Sequence, residues 1–480
     1  MHTGKMTKII ATIGPSSESE DLIRKLILSG VNIFRFNLKH NTKEWHIERI
    51  NRVNKVAEEL NLIIGILVDL QGPEIRIETF EEKDVNIKVN ERLVFCNDFD
   101  NSALGEKEAG VKKIRVSQKI VCDSLKPGDR FSIDDGMIEF EVETSGEGYF
   151  VALSKDDGLI QNRKGLNLIG TDIALPSLIE EDLDKLNIAT IAKVDFIALS
   201  FVRTSEDIRT LKREMDERNV DAKIISKVES QKGVDNVNEI IEASDGIMIA
   251  RGDLGVEVPL EQVTYIQKEI IKKCRLKCKP VIVATQMLES MIDKPRPTRA
   301  EAADVANAVY DGTDAVMLSE ETASGQFPVE AFQMMAKIAQ SAEEEFPHPL
   351  FLRRETGEGM NLQQAITYTA SLLAEEVGAK VIVTPTESGS TARWVSKLRP
   401  RQPILALTPH LSTVRELNLS WGVDPVLGLG WKDTDEMLER SKRMPKELGM
   451  ASKGEKIVII AGVPISIPGT TNLIKVEVVE

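Results

Sequence analysis

KIISKVES (residues 223–230), GIMIARGDLG (246–255) and VIVATQMLES (281–290) share one construction: an apolar run about one strand long that stops abruptly in polar residues. Parallel strands covered on both faces read as such near-continuous hydrophobic runs, not as alternating ones. In barrel-type α/β enzymes the side chains at the C-terminal strand ends carry the chemistry. Here those ends supply Lys227, Glu229, Asp253 and Thr285. A lysine, two carboxylates and a hydroxyl brought together suit a divalent cation, an anionic substrate and a developing negative charge.

Working outward, strands are predicted over 8–13, 33–38, 64–70, 196–201, 223–229, 246–251, 281–286 and 315–320. Helical periodicity over 21–28, 44–60, 181–192, 207–217, 234–241, 260–273 and 300–309 separates most of them. Thr298-x-x-Glu301, after Pro297, forms a capping-box pattern. Eight βα units with right-handed crossovers predict a TIM (β/α)8 barrel. Residues 77–161 lack a helical period. They alternate as strands do (VNIKV, RLVF, GDRFSI, MIEFEVE), with turns at Pro127-Gly128 and Asp135-Gly136. That predicts an inserted all-β lid domain hanging over the barrel mouth and excluding water. After the polar stretch 355–359, helices from Leu362 and strands over 380–384, 404–407, 424–427 and 456–460 predict an open α/β domain. The expected division is a barrel of 1–76 with 162–345, a lid of 77–161 and a C-terminal regulatory domain of 346–480.

A chain of 480 residues exceeds one ordinary domain. Its net charge of −15 argues against nucleic acid, which needs a basic surface. No run approaches the ~18 apolar residues of a membrane span, and the short polar start is not a signal peptide. Four cysteines in so long a chain point to a reducing compartment, the cytoplasm. Cys274 and Cys278 fall with Val263, Ile266 and Ile270 on one helix face, which reads as core packing and not as a zinc site.

Lys227 and Glu229, two residues apart, share a strand face. An anion and a metal would satisfy them, and so would a buried bridge between the two. Asp253, in Arg251-Gly252-Asp253, adds a second carboxylate, and Gly252 lets a ligand approach the backbone closely. Two carboxylates plus substrate oxygens suit magnesium. In IFRFNLKH (33–40) Arg35, Asn37 and Lys39 share a face, and Arg35 suits bidentate phosphate binding. Asp69 closes the third strand, and GPEIR (72–76) brings Glu74 and Arg76 to the start of the insertion.

Nine ordered blocks carry a resemblance to the pyruvate kinase family over essentially the whole chain. They are KIIATIGP, IFRFNLKH, DLQGPEIR, KGLNLIG, ISKVES, IARGDLGVE, ATQMLESM, PRPTRAEAADVANAVYDGTDAVMLSEETASG and GVPISIPGTTN. The resemblance implies a barrel with an inserted lid and a C-terminal α/β domain. The implied reaction is phosphoryl transfer from phosphoenolpyruvate to ADP, giving pyruvate and ATP. It also implies magnesium or manganese, potassium and a homotetramer. Carried over by position, Glu229 and Asp253 hold the divalent ion and Arg35 the substrate phosphate. The Gly252 and Asp253 amides with Thr285 hold the carboxylate, while Lys227 sits by the phosphoryl group and enolate oxygen. Asn37, His40, Arg76 and Lys164 contact the nucleotide, and a proton relay through water and Ser319 serves Thr285.

Two places depart from the family's pattern. Asn37, Asp69 and the Leu70 carbonyl match its monovalent site, but Lys39 stands where a serine is usual. The expectation is that the Lys39 ammonium sits against Asp69 and makes potassium dispensable; the alternative is that Lys39 turns to solvent. Glu74 resembles the residue that accompanies potassium dependence. In TPTESGSTAR (384–393), Thr386, Ser388, Ser390 and Thr391 resemble a phosphate-binding effector loop. Glu387 replaces a lysine found in bisphosphate-binding members, so a monophosphate effector or an unoccupied loop is expected. The rival readings are a carbon–carbon lyase or mutase on a related barrel, and a metabolite sensor that has lost catalysis.

Overall fold

A computed structural model of the chain describes residues 4–100, 110–134, 136–171, 173, 175–352, 360–465 and 470–480. The polar stretch 355–359, Asp135 of the expected Asp135-Gly136 turn and part of the GVPISIPGTTN block lie outside the described residues. Eight parallel strands close into a barrel in sequence order: β1 (Lys8–Thr12), β2 (Ile33–Asn37), β3 (Gly65–Asp69), β4 (Phe196–Leu199), β5 (Lys223–Val228), β6 (Gly246–Ala250), β7 (Val281–Ala284) and β8 (Ala315–Leu318). Their runs are apolar because both faces are covered. Ile10, Ile33, Leu67, Phe196, Ile225, Met248, Ile282 and Met317 fill the barrel interior, and the outward side chains pack under the helices.

The predicted helices form at Glu20–Leu28, Lys43–Glu59, Ser205–Glu217, Leu260–Leu276 and Arg299–Tyr310. The pattern over 181–192 divides into Glu180–Leu186 and Ile188–Ile191. Pro328–Glu344, which the sequence reading did not single out, supplies the helix after β8. The capping box is made: Thr298 Oγ accepts from Glu301 N at 3.2 Å, and Glu301 Oε2 accepts from Thr298 N at 2.6 Å. Cys274 is buried in the core, but Cys278 lies past the end of its helix at φ 54°, so the shared apolar face stops at Cys274.

The insertion builds a seven-stranded sheet around Phe95, Phe131, Phe140 and Phe150, whose ring centroids lie 5.0–5.4 Å apart. It is mostly β and not all β. A helix, Lys119–Ser124, packs on it, and six residues are too few to show a period. One of the seven strands, Leu166–Ile169, lies past residue 161 and pairs with Arg130–Ile133. In the C-terminal unit the strands lie in the order Val423–Leu427, Ile404–Thr408, Val381–Pro385, Lys456–Gly462, Thr471–Val478. The last of these is antiparallel and was not anticipated. Among the described residues no helix is long and apolar enough to cross a membrane.

Candidate active site

The C-terminal ends of the barrel strands surround a cavity of 140 Å³ whose lining includes Arg35, Asn37, Lys39, Asp69, Leu70, Lys227, Glu229, Asp253 and Thr285. Strand register explains the convergence: Asn37 pairs with Asp69 across β2 and β3, and Lys227 with Met248 across β5 and β6. Asp69, 1 % exposed, is the hub. Its Oδ2 accepts from Arg35 Nε at 2.8 Å and lies 2.7 Å from Arg35 Nη2, while its Oδ1 is 3.4 Å from Lys227 Nζ. Lys227 Nζ also lies 2.9 Å from Glu229 Oε1 and donates to Ser200 Oγ at 2.8 Å.

Burial and pairing oppose each other in this cluster. Burial alone would push the Asp69 carboxyl up, but Lys227 and Arg35 hold it below its ordinary value. Burial would pull Lys227 down, and Asp69 and Glu229 outweigh it, so the ammonium stays charged. Glu229 is pushed up by burial, with Asp253 adding to this against the pull of Lys227. Glu229 Oε2 accepts from Phe201 N at 2.7 Å, whereas Oε1 and Asp69 Oδ1 are buried without a hydrogen bond. The Lys227 ammonium serves both of these oxygens as an ion pair, and a further cation in the cavity that Asp69 and Glu229 line would add to that neutralisation.

The end of β7 is strained. Thr285 and Gln286 stand at φ 65° and 53°, a region that β-branched residues rarely enter. This turns the Thr285 hydroxyl toward the helix Arg251–Glu257, which starts directly after β6, where the sequence reading had extended the strand through 251. Thr285 Oγ accepts from Gly252 N at 2.8 Å and donates to Ala284 O at 2.6 Å.

A second cavity, 530 Å³, opens between the barrel mouth and the inserted domain. Arg76 and Lys164 line it, as do Arg203 and Lys232, which the sequence reading missed. Arg76 donates to Arg163 O at 2.6 Å and to Glu74 at 2.8 Å, and Lys164 lies 2.7 Å from Asp134. His40 is in neither lining; it is exposed, and its carbonyl accepts from His46 Nε2 at 2.7 Å. Ser319 lies just past β8, outside both linings, with its buried Oγ lacking a hydrogen bond.

Lys39 is not where it was expected. Its ammonium sits 2.5 Å from Glu74 Oε1, and the Asp69 carboxylate is taken by Arg35 and Lys227. Two cations already on Asp69 leave no call for a third there, while Glu74 stands at the cavity rim. In the 386–391 loop Thr386 Oγ accepts from Gly389 N and Ser388 O from Arg393 Nη2. Ser390 is tied to Gln363 at 3.1 Å, Thr391 to Thr471 at 2.9 Å and Glu387 to His410 at 2.8 Å. Ser200 also escaped the sequence reading, although its place at the end of the apolar run of β4 was a usable signal.

Two family models match the chain, one described as pyruvate kinase, barrel domain, over residues 4–332, the other as pyruvate kinase, alpha/beta domain, over 364–477. Proteins named pyruvate kinase are similar along its full length. That of Clostridium acetobutylicum is 42% identical over 478 residues, covering 99% of both chains. That of Clostridium perfringens is 42% identical over 476 residues, 98% of this chain and 99% of its own. That of Staphylococcus epidermidis is 42% identical over 479 residues, 99% of this chain and 80% of its own.

Proposed function

The chain belongs to the pyruvate kinase family, and from that premise we propose how its residues share the transfer of the phosphoryl group of phosphoenolpyruvate to ADP. This phosphotransferase reaction yields pyruvate and ATP and closes glycolysis. Arg35, fixed on Asp69, holds the substrate phosphate. Thr285 Oγ and Gly252 N, already a hydrogen-bonded unit, receive the carboxylate with the Asp253 amide. Lys227, kept charged by Asp69 and Glu229, faces the phosphoryl group and then the enolate oxygen. Such preorganised donors act where charge develops. Proton delivery to the enolate carbon runs through water near Thr285 and Ser319, whose Oγ lacks a protein partner. Arg76 and Lys164, which line the larger cavity, serve the nucleotide, with Asn37 on the smaller cavity and His40 outside both as further contacts.

Among the described residues no group of three or more His, Cys, Asp and Glu side chains gathers to hold a metal. Glu229 and Asp253 are two, a set that substrate oxygens complete. Glu229 Oε1, which pairs with the Lys227 ammonium and makes no other hydrogen bond, fits this role. Bound there, magnesium or manganese would supply charge neutralisation at the phosphoryl and enolate oxygens. For the monovalent site, Asn37, Asp69 and Leu70 line the same cavity as Lys39. Three cations, Arg35, Lys39 and Lys227, there face four carboxylates, Asp69, Glu74, Glu229 and Asp253. Lys39 thus already contributes the charge a bound potassium would add, from Glu74 and not from Asp69. We expect turnover in tetramethylammonium buffer to stay within about threefold of that in potassium; a larger loss would show that the tethered charge does not suffice.

The division into barrel (1–76, 162–345), lid (77–161, whose sheet also takes in Leu166–Ile169) and regulatory domain (346–480), the cytoplasmic homotetramer, and a 386–391 loop that holds a monophosphate effector or stays unoccupied complete this reading. Its support is the convergence of Lys227, Glu229 and Asp69 on one cavity. The test is pyruvate formation from phosphoenolpyruvate. It should require ADP and vanish in Lys227→Met while Mn²⁺ binding persists. Pyruvate made without ADP would point to lyase chemistry, and none at all to a sensor.

A further inference from the structure

The two cavities meet at a shared wall, and Lys39 is the one cation among the described residues that lines both. The other residues common to both linings are Glu74, Phe201 and Asp253. Transfer must cross this wall: the bond from phosphorus to the enol oxygen breaks and leaves its electron pair there. A new bond forms to a terminal oxygen of the nucleotide diphosphate, and the enolate then takes a proton on carbon. Charge in such a transfer spreads over the three equatorial phosphoryl oxygens. A cation at the wall can follow them from donor to acceptor.

The platform that holds this cation is stiff, and the arm is not. Glu74 Oε1 binds Lys39 at 2.5 Å while its Oε2 binds Arg76 at 2.8 Å, so one carboxylate stores a cation for each cavity. The turn carrying Glu74 is pinned from both sides. Asp182 accepts from Gln71 N at 2.8 Å and from Gly72 N at 3.1 Å, and a Cβ on Gly72 would come within 2.9 Å of Ser200. Lys39, by contrast, hangs from the turn after β2 on a flexible four-carbon stem. Anions arriving in the two cavities compete with Glu74 for its ammonium, and only the lysine need move.

We propose that Lys39 is a catalytic residue that leaves Glu74 to contact the transferring phosphoryl group, serving both substrates from the wall between their sites. This rests on the phosphotransferase reading above, but it asks more than charge balance, because a diffusible cation could supply that. The experiment compares Lys39→Met and Lys39→Arg with the parent at saturating substrates, divalent ion and potassium, with thermal unfolding as the check on folding. Lys39→Met is expected to lower kcat about 100-fold with both KM values within about threefold, and Lys39→Arg to recover at least about tenfold. Recovery of Lys39→Met to near the parent rate in potassium, a kcat close to the parent's without it, or a loss confined to KM would each overturn the proposal. A parent chain unable to make pyruvate from phosphoenolpyruvate and ADP would instead overturn the underlying reading.

Discussion

Ser200 is 1 % exposed and bonded twice: its Oγ donates to Leu70 O at 2.7 Å and accepts from Lys227 Nζ at 2.8 Å. It therefore fixes where the ammonium points, without altering the cavity's charge. Ser200→Ala should lower kcat about tenfold with little change in the KM for phosphoenolpyruvate, because a misplaced cation costs more in the transition state than in binding. Steady-state kinetics with Ser200→Thr as the rescue settles it; equal losses in both variants would assign Ser200 to packing alone. The charged partners, Arg35, Asp69, Lys227 and Glu229, were legible in the sequence because ionisable groups ending apolar runs need one another. Ser200 was passed over although it too ends an apolar run, since a serine after a strand usually means only a turn. The partner of Lys39 was also misread: spacing shows the face a side chain shares, not which of two carboxylates its long stem reaches.

His46 is a residue where burial decides protonation. It is packed edge-on between Phe36 and Trp45, and burial brings its pKa down from 6.5 to about 4. The unfolded chain therefore takes up a proton first as the pH falls. The stability this neutral ring contributes is complete above about pH 6.5 and is lost progressively down to about pH 4, by on the order of 2–3 kcal/mol. His46→Gln keeps a donor toward His40 O and cannot charge. Urea titrations at pH 7 and pH 4.5 should show a smaller drop for the variant than for the parent; parallel drops would remove His46 from the acid sensitivity.

At the scale of elements, the barrel strands were readable because covered parallel strands announce themselves by unbroken apolar runs. The short helices were not. Arg251–Glu257 carries two glycines in seven residues and reads as a loop, yet it presents Gly252 and Asp253 to the site. Thr471–Val478 is half exposed and carries Lys475 and Glu477, so its pattern is that of an edge strand and not of a core one. A cap, by contrast, is a local signal that the sequence states outright. Glu301 closes the Thr298 box and reaches further, accepting from Ser290 N at 2.7 Å, so it ties the loop after β7 to the next helix. Thr298→Ala should cost about 1 kcal/mol, and Glu301→Ala about twice that, as shifts in the urea midpoint at constant slope. Equal shifts would mean that the Ser290 contact contributes nothing.

At the scale of the molecule, the C-terminal unit docks on the barrel rim opposite the site. Lys8 donates to Val423 O at 2.6 Å and Gly422 N to Met6 O at 2.9 Å, both at the N-terminal end of β1. Arg399 is the centre of this junction. It is 1 % exposed, stacks over Trp421 at 5.1 Å, donates to Gly312 O at 2.7 Å and lies 3.1 Å from Asp314, the residue before β8. Asp314 in turn accepts from Trp421 N and Val281 N, both at 3.1 Å. Arg399→Met keeps much of the volume but strands the Asp314 charge in a buried seam, which costs about 3–5 kcal/mol. The urea midpoint should fall accordingly, and Asp314→Asn added to Arg399→Met should recover part of the loss by removing the stranded charge. Because the junction and the strand ends that hold Lys227 are at opposite ends of the barrel, kcat of the folded variant should stay within about twofold of the parent. A large fall in kcat at full folding would mean that the seam reaches the site through the barrel; an unmoved midpoint would mean that Asp314 is satisfied by its two amides alone.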